Sequence, residues 1–450
     1  MSHHTVREAY QSLVDRLNRF PQGAAPSRVL YEILGLLFTE REAGLVARLP
    51  LTPFTADEAA KRWDTTPAAA DRILQELADR TILLDVEREG RSIYTLPPPM
   101  AGFFEFALMR VRADVDQKLL SELFYQYIDV EEDFIRNLVE GGKTQAGRVF
   151  VQEAALPATP TLEVLDYERV SEVFRAASAI AVGLCYCRHK MAHLGRACQA
   201  PLDVCTTLNH AAESLIRHGA ARRIGLGEAL DLLALAQEHA LIQFGENVQH
   251  GVNFVCHCCR CCCEGLLAAR RFGFLHPVAT SGFLPRVSPE RCVGCGRCAT
   301  ACPVEAIAAG PLAGQYQGQT PASPAAARLP SAPTLTGRPA TPGARCTAID
   351  EDRCLGCGLC VRACPTQALA LVRRTPRVIT PIDSTQRFVR MAIERGTLAD
   401  LVFDNRLLAS HRAMATLLGA VLRLEPVKRM LARVQLKSRY LDSLLSRWNF

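Results

Sequence analysis

Apolar residues recur at helical spacing early in the chain, as in Leu30-Tyr-Glu-Ile-Leu-Gly-Leu-Leu37, and residues 5–45 read as helices. Phe54 to Trp63 follows as a helical segment in which Thr55 is a suitable N-cap and Glu58 stands three residues on, the spacing of a capping box. A short turn, Asp64 to Thr66, leads to a second helix from Pro67 to Arg80, with Pro67 at an allowed first-turn position. Ile82 to Val86 and Ser92 to Leu96 alternate as strands around Gly90, which predicts a β-hairpin. Helix, turn, helix and hairpin is the element order of a winged helix-turn-helix domain, closed by Pro97-Pro-Pro99. Residues 100–180 read mainly as helices, among them Phe103 to Leu123 and Tyr167 to Ala177. Ala179 to Leu184 and Val252 to Val255 read as strands, and a helical stretch between them ends at Glu238.

The pattern divides the chain into a winged-helix-like domain (1–99), a helical region (100–178), a cysteine-rich middle domain (179–282), a segment with an internal repeat (283–372) and a basic helical tail (373–450). The repeat offset is 62 residues, from Cys292 to Cys354, and residues 311–343 between its halves are Pro, Ala, Gly, Ser and Thr with few large apolar side chains. That composition predicts a flexible insertion. The expected class is α+β and multidomain, mostly helical. With 450 residues the chain is too long for one core.

The cysteines change the picture most. There are 19, none before Cys185 and none after Cys364. The start, Met1 to Arg7, has no apolar leader, so a reducing cytoplasmic setting is expected and dense short-spaced cysteines read as metal ligands. No apolar run is long enough for a spanning helix. The first repeat is Arg291-Cys-Val-Gly-Cys-Gly-Arg-Cys-Ala-Thr-Ala-Cys-Pro303 and the second is Arg353-Cys-Leu-Gly-Cys-Gly-Leu-Cys-Val-Arg-Ala-Cys-Pro365. Each has the C-x2-C-x2-C-x3-C-P spacing of a four-iron, four-sulfur site. Three thiolates two residues apart wrap one face of a cubane, and the glycines let the backbone fold tightly against it. Zinc prefers two separated pairs of ligands, so iron–sulfur clusters suit the pattern better. Cys346 has no spacing partner and reads as a buried structural cysteine.

The repeat resembles the two-cluster bacterial ferredoxin family. The resemblance implies two [4Fe-4S] clusters with crossed ligation: Cys292, Cys295 and Cys298 with Cys364 on one, and Cys354, Cys357 and Cys360 with Cys302 on the other. It also implies a short helix after each proline, over Val304 to Ile307 and Thr366 to Leu369.

Ten cysteines lie upstream of that resemblance. Cys185, Cys187, Cys198 and Cys205 fall within 21 residues, and alternation along a strand would point Cys185 and Cys187 to one side. Cys256, Cys258, Cys259, Cys261, Cys262 and Cys263 fall within eight. So many neighbouring thiols cannot pair as unstrained disulfides. They are expected to hold one or two further iron–sulfur centres or zinc, with metal-free thiols as the bland alternative. His257 is the best placed of the nearby histidines, and Arg188 and Arg260 stand next to candidate thiolates. The whole chain is similar to a group of prokaryotic dicluster ferredoxin-domain proteins that share the Pro97 to Phe106 junction, the Cys185-x-Cys187-Arg segment and the Cys256 to Cys263 run. That resemblance supports the domain order and supplies no activity.

Charge narrows the partners. The net charge is +6, with 22% charged residues. The helix that would read DNA begins Thr65-Thr-Pro-Ala-Ala-Ala70, and its first basic residue is Arg72, offset by Asp71, Glu76 and Asp79. This is a poor phosphate footprint, so docking to protein is expected over DNA. From His411 to Phe450 eight Lys or Arg face Glu425 and Asp442. Such an amphipathic tail suits its own protein, an acidic redox partner or an anionic membrane surface. No acid/base or nucleophile motif stands out, which leaves open whether the chain is an enzyme. The expected function is electron transfer, alone or as the electron-delivering subunit of an oxidoreductase, with a redox-sensing winged-helix regulator as the alternative.

Overall fold

The computed structural model describes residues 2–139, 142–157, 162–311, 335–336 and 345–403. Most of the insertion, the side chain of Cys346 and the tail beyond residue 403 lie outside the described residues. The described residues mix helices with small sheets.

Helices Ser2–Arg19, Arg28–Leu37 and Glu40–Val46 open the chain. Thr55 caps Ala56–Trp63 with its side chain on the Glu58 N–H, and Glu58 reaches back to the Thr55 N–H, so both halves of the capping box form. Thr66 caps the next helix, Pro67–Asp79. Strands Leu84–Arg88 and Arg91–Thr95 pair around Glu89 and Gly90, both at positive φ, and Phe54–Thr55 adds to Arg91–Thr95 as a third strand. Leu30, Ile33, Leu34, Leu74, Leu77 and Tyr94 are buried in one core beneath these elements.

The continuous helix expected from Phe103 to Leu123 is broken. Phe104–Phe106 and Gln117–Phe124 are separate helices, because Asp116 starts the second by accepting from the Leu119 N–H. The Gln117 side chain donates to the carbonyls of Ala107 and Arg110, which ties down the intervening turn.

A six-stranded, wholly antiparallel sheet organises the middle of the chain. Its spatial order is Gly147–Val149, Ile242–Glu246, Phe254–Cys258, Cys205–Leu208, Ile180–Gly183 and Arg222–Ile224. The edge strand Gly147–Val149 comes from the region read as helical. These strands have three to five residues each, too short for a periodic signal to stand out. One face packs helices Val170–Ala176 and Leu226–Glu238 through Val170, Phe174, Leu208, Val255 and Leu233. The other face carries cysteines.

The hairpin is bolted to this middle unit. Asp85 takes a hydrogen bond from Ser214, an ion pair from Arg217 at 2.5 Å and a contact from His218 at 3.0 Å, and His218 also meets Asp79 at 2.7 Å. Burial opposes the Asp85 carboxylate, but the hydrogen bonds from His218 and Ser214 outweigh it and hold its pKa at about 2. His218 is raised, chiefly by its hydrogen bond to Asp85. The depressed acid contributes stability that is lost as pH falls through about 2. The raised imidazole contributes stability present in full below about pH 6.5 and lost as pH rises through its folded pKa. The contact is therefore tightest in mildly acidic solution. Asp85→Ala should cost about 2 kcal/mol and flatten that dependence, read as the denaturation midpoint against pH.

The repeat segment pairs its outer strands, Phe283–Val287 with Leu369–Arg373, and its inner strands, Ile307–Pro311 with Arg345–Asp350. The short helices carry the third cysteine of each repeat and end before the fourth, at Arg297–Ala301 and Leu359–Arg362. The helices expected after Pro303 and Pro365 do not form. Glu305 and Gln367 sit at positive φ there, turning the chain directly into the strands. Beyond the repeat, helix Ser384–Arg395 packs on its own protein, with Arg387 paired to Glu246 at 2.7 Å, both buried.

Candidate metal centres

The two repeats share a backbone signature around their thiols. Gly294, Gly296, Gly356 and Gly358 are all left-handed, and Gly296 and Gly358 open the two short helices. Past each Cys-Pro the chain returns an amide to sulfur: the Ala306 N–H donates to Cys302 Sγ and the Ala368 N–H to Cys364 Sγ, both at 3.2 Å. A Cβ on Gly356 would lie 2.2 Å from the Phe283 carbonyl oxygen in addition to meeting a φ of +70°. Gly356→Ala should therefore displace the Cys354–Cys357 turn and lower the iron bound per chain, which elemental analysis will read.

Burial differs between the thiols. Cys354, Cys357, Cys360 and Cys302 are all buried, whereas Cys295 is exposed and Cys292 and Cys364 are half-buried. Cys302 packs in one buried cluster with Cys354, Cys357 and Cys360, and Cys298 of its own repeat belongs to that cluster too. Burial pushes Cys354 to about 11 and Cys357 to about 12. Packed thiolates at such sites need a cationic partner, and ligated iron supplies one. The donor set thus fits a cluster.

The structure sorts the ten upstream cysteines into two groups. The first holds Cys198, Cys259, Cys261 and Cys262, whose sulfur atoms all lie within 4.8 Å of one another. Cys261 is exposed and Cys259 and Cys262 are buried. Hydrogen bonding from Cys262, helped by Arg188, lowers Cys259 to about 5 against the effect of burial.

The second group holds Cys185, Cys187, Cys205, Cys256, Cys258 and Cys263. The sheet brings them together. One step beyond the Thr206–Val255 pair, Cys205 comes opposite Cys256, and Cys258 stands two residues further on the same face. Neighbouring thiols then run from Cys185 to Cys205, Cys256, Cys258, Cys263 and Cys187. The strand expected to deliver Cys185 and Cys187 ends at Gly183, so alternation does not orient them. Cys185 instead caps helix Tyr186–His193 and Cys187 lies in its first turn. His257 is on the opposite strand face from Cys256 and Cys258. It is fully buried, its ring nitrogens have no hydrogen-bond partner among the described residues, and burial lowers its pKa to about 3.

Two buried cations attend these thiols. Arg188 is 1% exposed and donates one hydrogen bond to the His257 carbonyl at 3.0 Å. Despite burial its pKa is raised, by Cys185, Cys205 and then Cys259, so it stands between the two groups. Lys190 is 0% exposed and bridges Asp129 and Glu264, each at 2.6 Å, while Tyr186 donates to Glu264 at 3.0 Å. Nothing in the sequence marks this Lys190–Glu264 pair, whose partners are 74 residues apart.

The middle unit and the repeat segment meet through these cysteines. Cys258 and Cys263 belong to the same packed cluster as Cys298, Cys302, Cys354, Cys357 and Cys360, together with Leu266, Ala269 and Leu355. Arg260 donates to the Thr300 carbonyl at 2.9 Å and faces Glu305 at 3.4 Å. The Gln152 amide donates to the Cys357 carbonyl at 2.9 Å, and Ser281 to that of Gly356 at 2.7 Å.

Residues 291–368 match the family model of a 4Fe-4S dicluster domain. This part of the chain is a ferredoxin-like domain, and an iron–sulfur, metal-binding protein is what the thiols and that match define together. No curated protein and no solved structure matches the chain. Among the described residues no helix is long and apolar enough to cross a membrane.

Proposed function

We propose that the chain is an electron-transfer protein that takes electrons at the ferredoxin-like domain and delivers them to metal held by the upstream thiols. The observation that carries this is the shared packing of Cys258 and Cys263 with the buried ferredoxin cysteines. Electron exchange needs such proximity, and a carrier that only shuttled between partners would have no use for it.

Crossed ligation gives the path a direction. The neighbourhood of Cys302 with Cys354, Cys357 and Cys360 supports it. One cluster then has Cys292, Cys295, Cys298 and Cys364 and reaches the surface, and the other is buried. Val293, 65% exposed beside exposed Cys295, with exposed Arg291 and Arg297, suits an acidic redox partner. Electrons enter at the exposed cluster, cross to the buried one, and leave past Arg260 toward the middle unit.

The four-thiol group reads as a mononuclear site. A tetrahedral ion with bonds of about 2.3 Å spaces its sulfurs about 3.8 Å apart. A cubane holds its cysteine sulfurs much further apart than the 4.8 Å limit these four keep. Zinc suits the group, as a lock on the Cys259–Cys262 turn.

The winged-helix-like domain serves as a support and a protein-docking module in this reading. Its hairpin is spent on Asp85 and its contacts to Ser214, Arg217 and His218. The helix Pro67–Asp79 begins with exposed Thr65, Thr66, Pro67 and Ala68 and no cation, so a DNA-binding regulator draws less support.

Anaerobic purification followed by iron, sulfide and zinc analysis tests the proposal. More than about eight irons per chain, with one zinc, is expected, since two four-iron clusters account for about eight. About eight irons with the upstream thiols free or filled by zinc alone would overturn it.

A further inference from the structure

The six thiols of the second group, four of them buried and Cys187 and Cys256 half-buried, form one wall of a cavity of about 570 Å³. All six line it, from Cys185 to Cys263, and the sheet face that carries Cys205, Cys256 and Cys258 also contributes Phe244 and Phe254. Six thiols exceed what a single cubane uses, and none of them is needed by the four-thiol group. The N-terminal domain and its junction contribute Leu96, Met100, Phe106 and Met109 to the wall, and helix Ser384–Arg395 contributes Phe388 and Met391.

Three carboxylates on this wall are engaged by the protein. Glu246 pairs with Arg387 at 2.7 Å and takes hydrogen bonds from Ser384 and Asn253. Glu264 is held by Lys190 and Tyr186. Glu105 accepts from the Ala101 and Gly102 amides, and burial pushes it up to about 8, so it is largely uncharged at neutral pH. Arg188 faces the thiols. Its charge is set against Cys185, Cys205 and Cys259, although its Nε and one terminal nitrogen have no hydrogen-bond partner among the described residues. Away from the thiols and Arg188 the surface left for a visitor is largely apolar, which favours uncharged molecules.

We propose that the six thiols hold a polynuclear iron–sulfur centre whose open face meets this cavity, and that the cavity admits a small uncharged, largely apolar molecule with a soft donor atom as a ligand to that centre. The proposal rests on the upstream thiols holding iron. It adds that this iron is accessible to exogenous ligands, unlike the ferredoxin clusters, whose four thiols each leave no open position. Soft donors match a thiolate-bound iron site. The reach of the cavity into apolar side chains sets the second half of the recognition.

The test uses the full chain purified anaerobically with its metals. n-Butyl isocyanide and cyanide are titrated separately while the upstream centre is followed by EPR and Mössbauer spectroscopy. The upstream signal is the one lost in Cys256→Ala. The isocyanide should change that signal at a concentration at least about tenfold lower than cyanide, because each buried CH2 adds about 0.8 kcal/mol. The ferredoxin signals should stay unchanged. Ala268→Leu fills part of the cavity from helix Glu264–Arg271, and it should raise the isocyanide concentration needed while leaving the iron content alone. An upstream iron signal that neither ligand perturbs, or one perturbed equally by both, overturns the proposal. Absence of any iron beyond the ferredoxin clusters overturns the electron path itself, which is a different outcome of the same experiment.

Discussion

Cys302→Ala will remove the cluster of the second repeat, although Cys302 belongs to the first. Cys302 is buried beside Cys354, Cys357 and Cys360, and its thiol also takes the Ala306 N–H. Losing it opens one corner of the buried cluster, which the surrounding apolar packing cannot refill with water at low cost. The iron per chain should fall by about four, and the EPR signal that disappears should be the one lost in Cys357→Ala. Cys364→Ala should instead reproduce the loss seen in Cys295→Ala. If Cys302→Ala and Cys295→Ala remove the same signal, ligation is not crossed. All four thiols assigned to the buried cluster lie in the core that holds Cys258 and Cys263, whereas only Cys298 of the exposed cluster does, with Cys364 at its edge, so Cys302→Ala should also stop reduction of the upstream centre while the exposed cluster still accepts electrons.

The second large effect is structural. Lys190→Met leaves Asp129 and Glu264 without their shared cation in a site where Lys190 is 0% and Glu264 1% exposed. Breaking one partner of such a buried arrangement costs about 3–5 kcal/mol. Burial already pushes Glu264 up to about 7 against the pull of Lys190, so in the variant it will take up a proton. Glu264 opens the helix that follows Cys263, and Tyr186 opens the helix that carries Cys187, so the loosened pair lies behind the thiol wall. The denaturation midpoint should drop, and the upstream centre should be lost before the ferredoxin clusters. Adding Glu264→Leu to Lys190→Met should restore part of the stability, because a neutral apolar pair no longer leaves a buried charge alone.

The ferredoxin-like domain was legible from the sequence because its chemistry is local. The four cysteines of each repeat, the left-handed glycines and the proline that ends the run fall within thirteen residues. The first helices were legible for a similar reason, since Thr55 and Glu58 satisfy each other's amides with no help from elsewhere. The middle of the chain was not. Cys205 meets Cys256 only because two short strands pair in one register, and no periodicity reports a pairing across fifty residues. The division of the Cys256 to Cys263 run between two sites was hidden for the same reason. Cys256, Cys258 and Cys263 turn one way and Cys259, Cys261 and Cys262 the other, because the strand ends at Cys258 and a helix begins after Cys263. The helices that the ferredoxin resemblance implied after Pro303 and Pro365 do not form, because Glu305 and Gln367 at positive φ turn the chain into the strands Ile307–Pro311 and Leu369–Arg373.

In the proposed function one electron path joins the ferredoxin-like clusters to the upstream centre. Magnetic coupling between reduced centres tests it most directly. The chain is reduced in steps and its EPR recorded at each step, in the wild type and in Cys258→Ala. We expect the wild-type signal of the buried ferredoxin cluster to broaden and relax faster as the upstream centre is reduced, and to sharpen again in Cys258→Ala. A buried-cluster signal that is identical in the two proteins at every level of reduction would contradict the path.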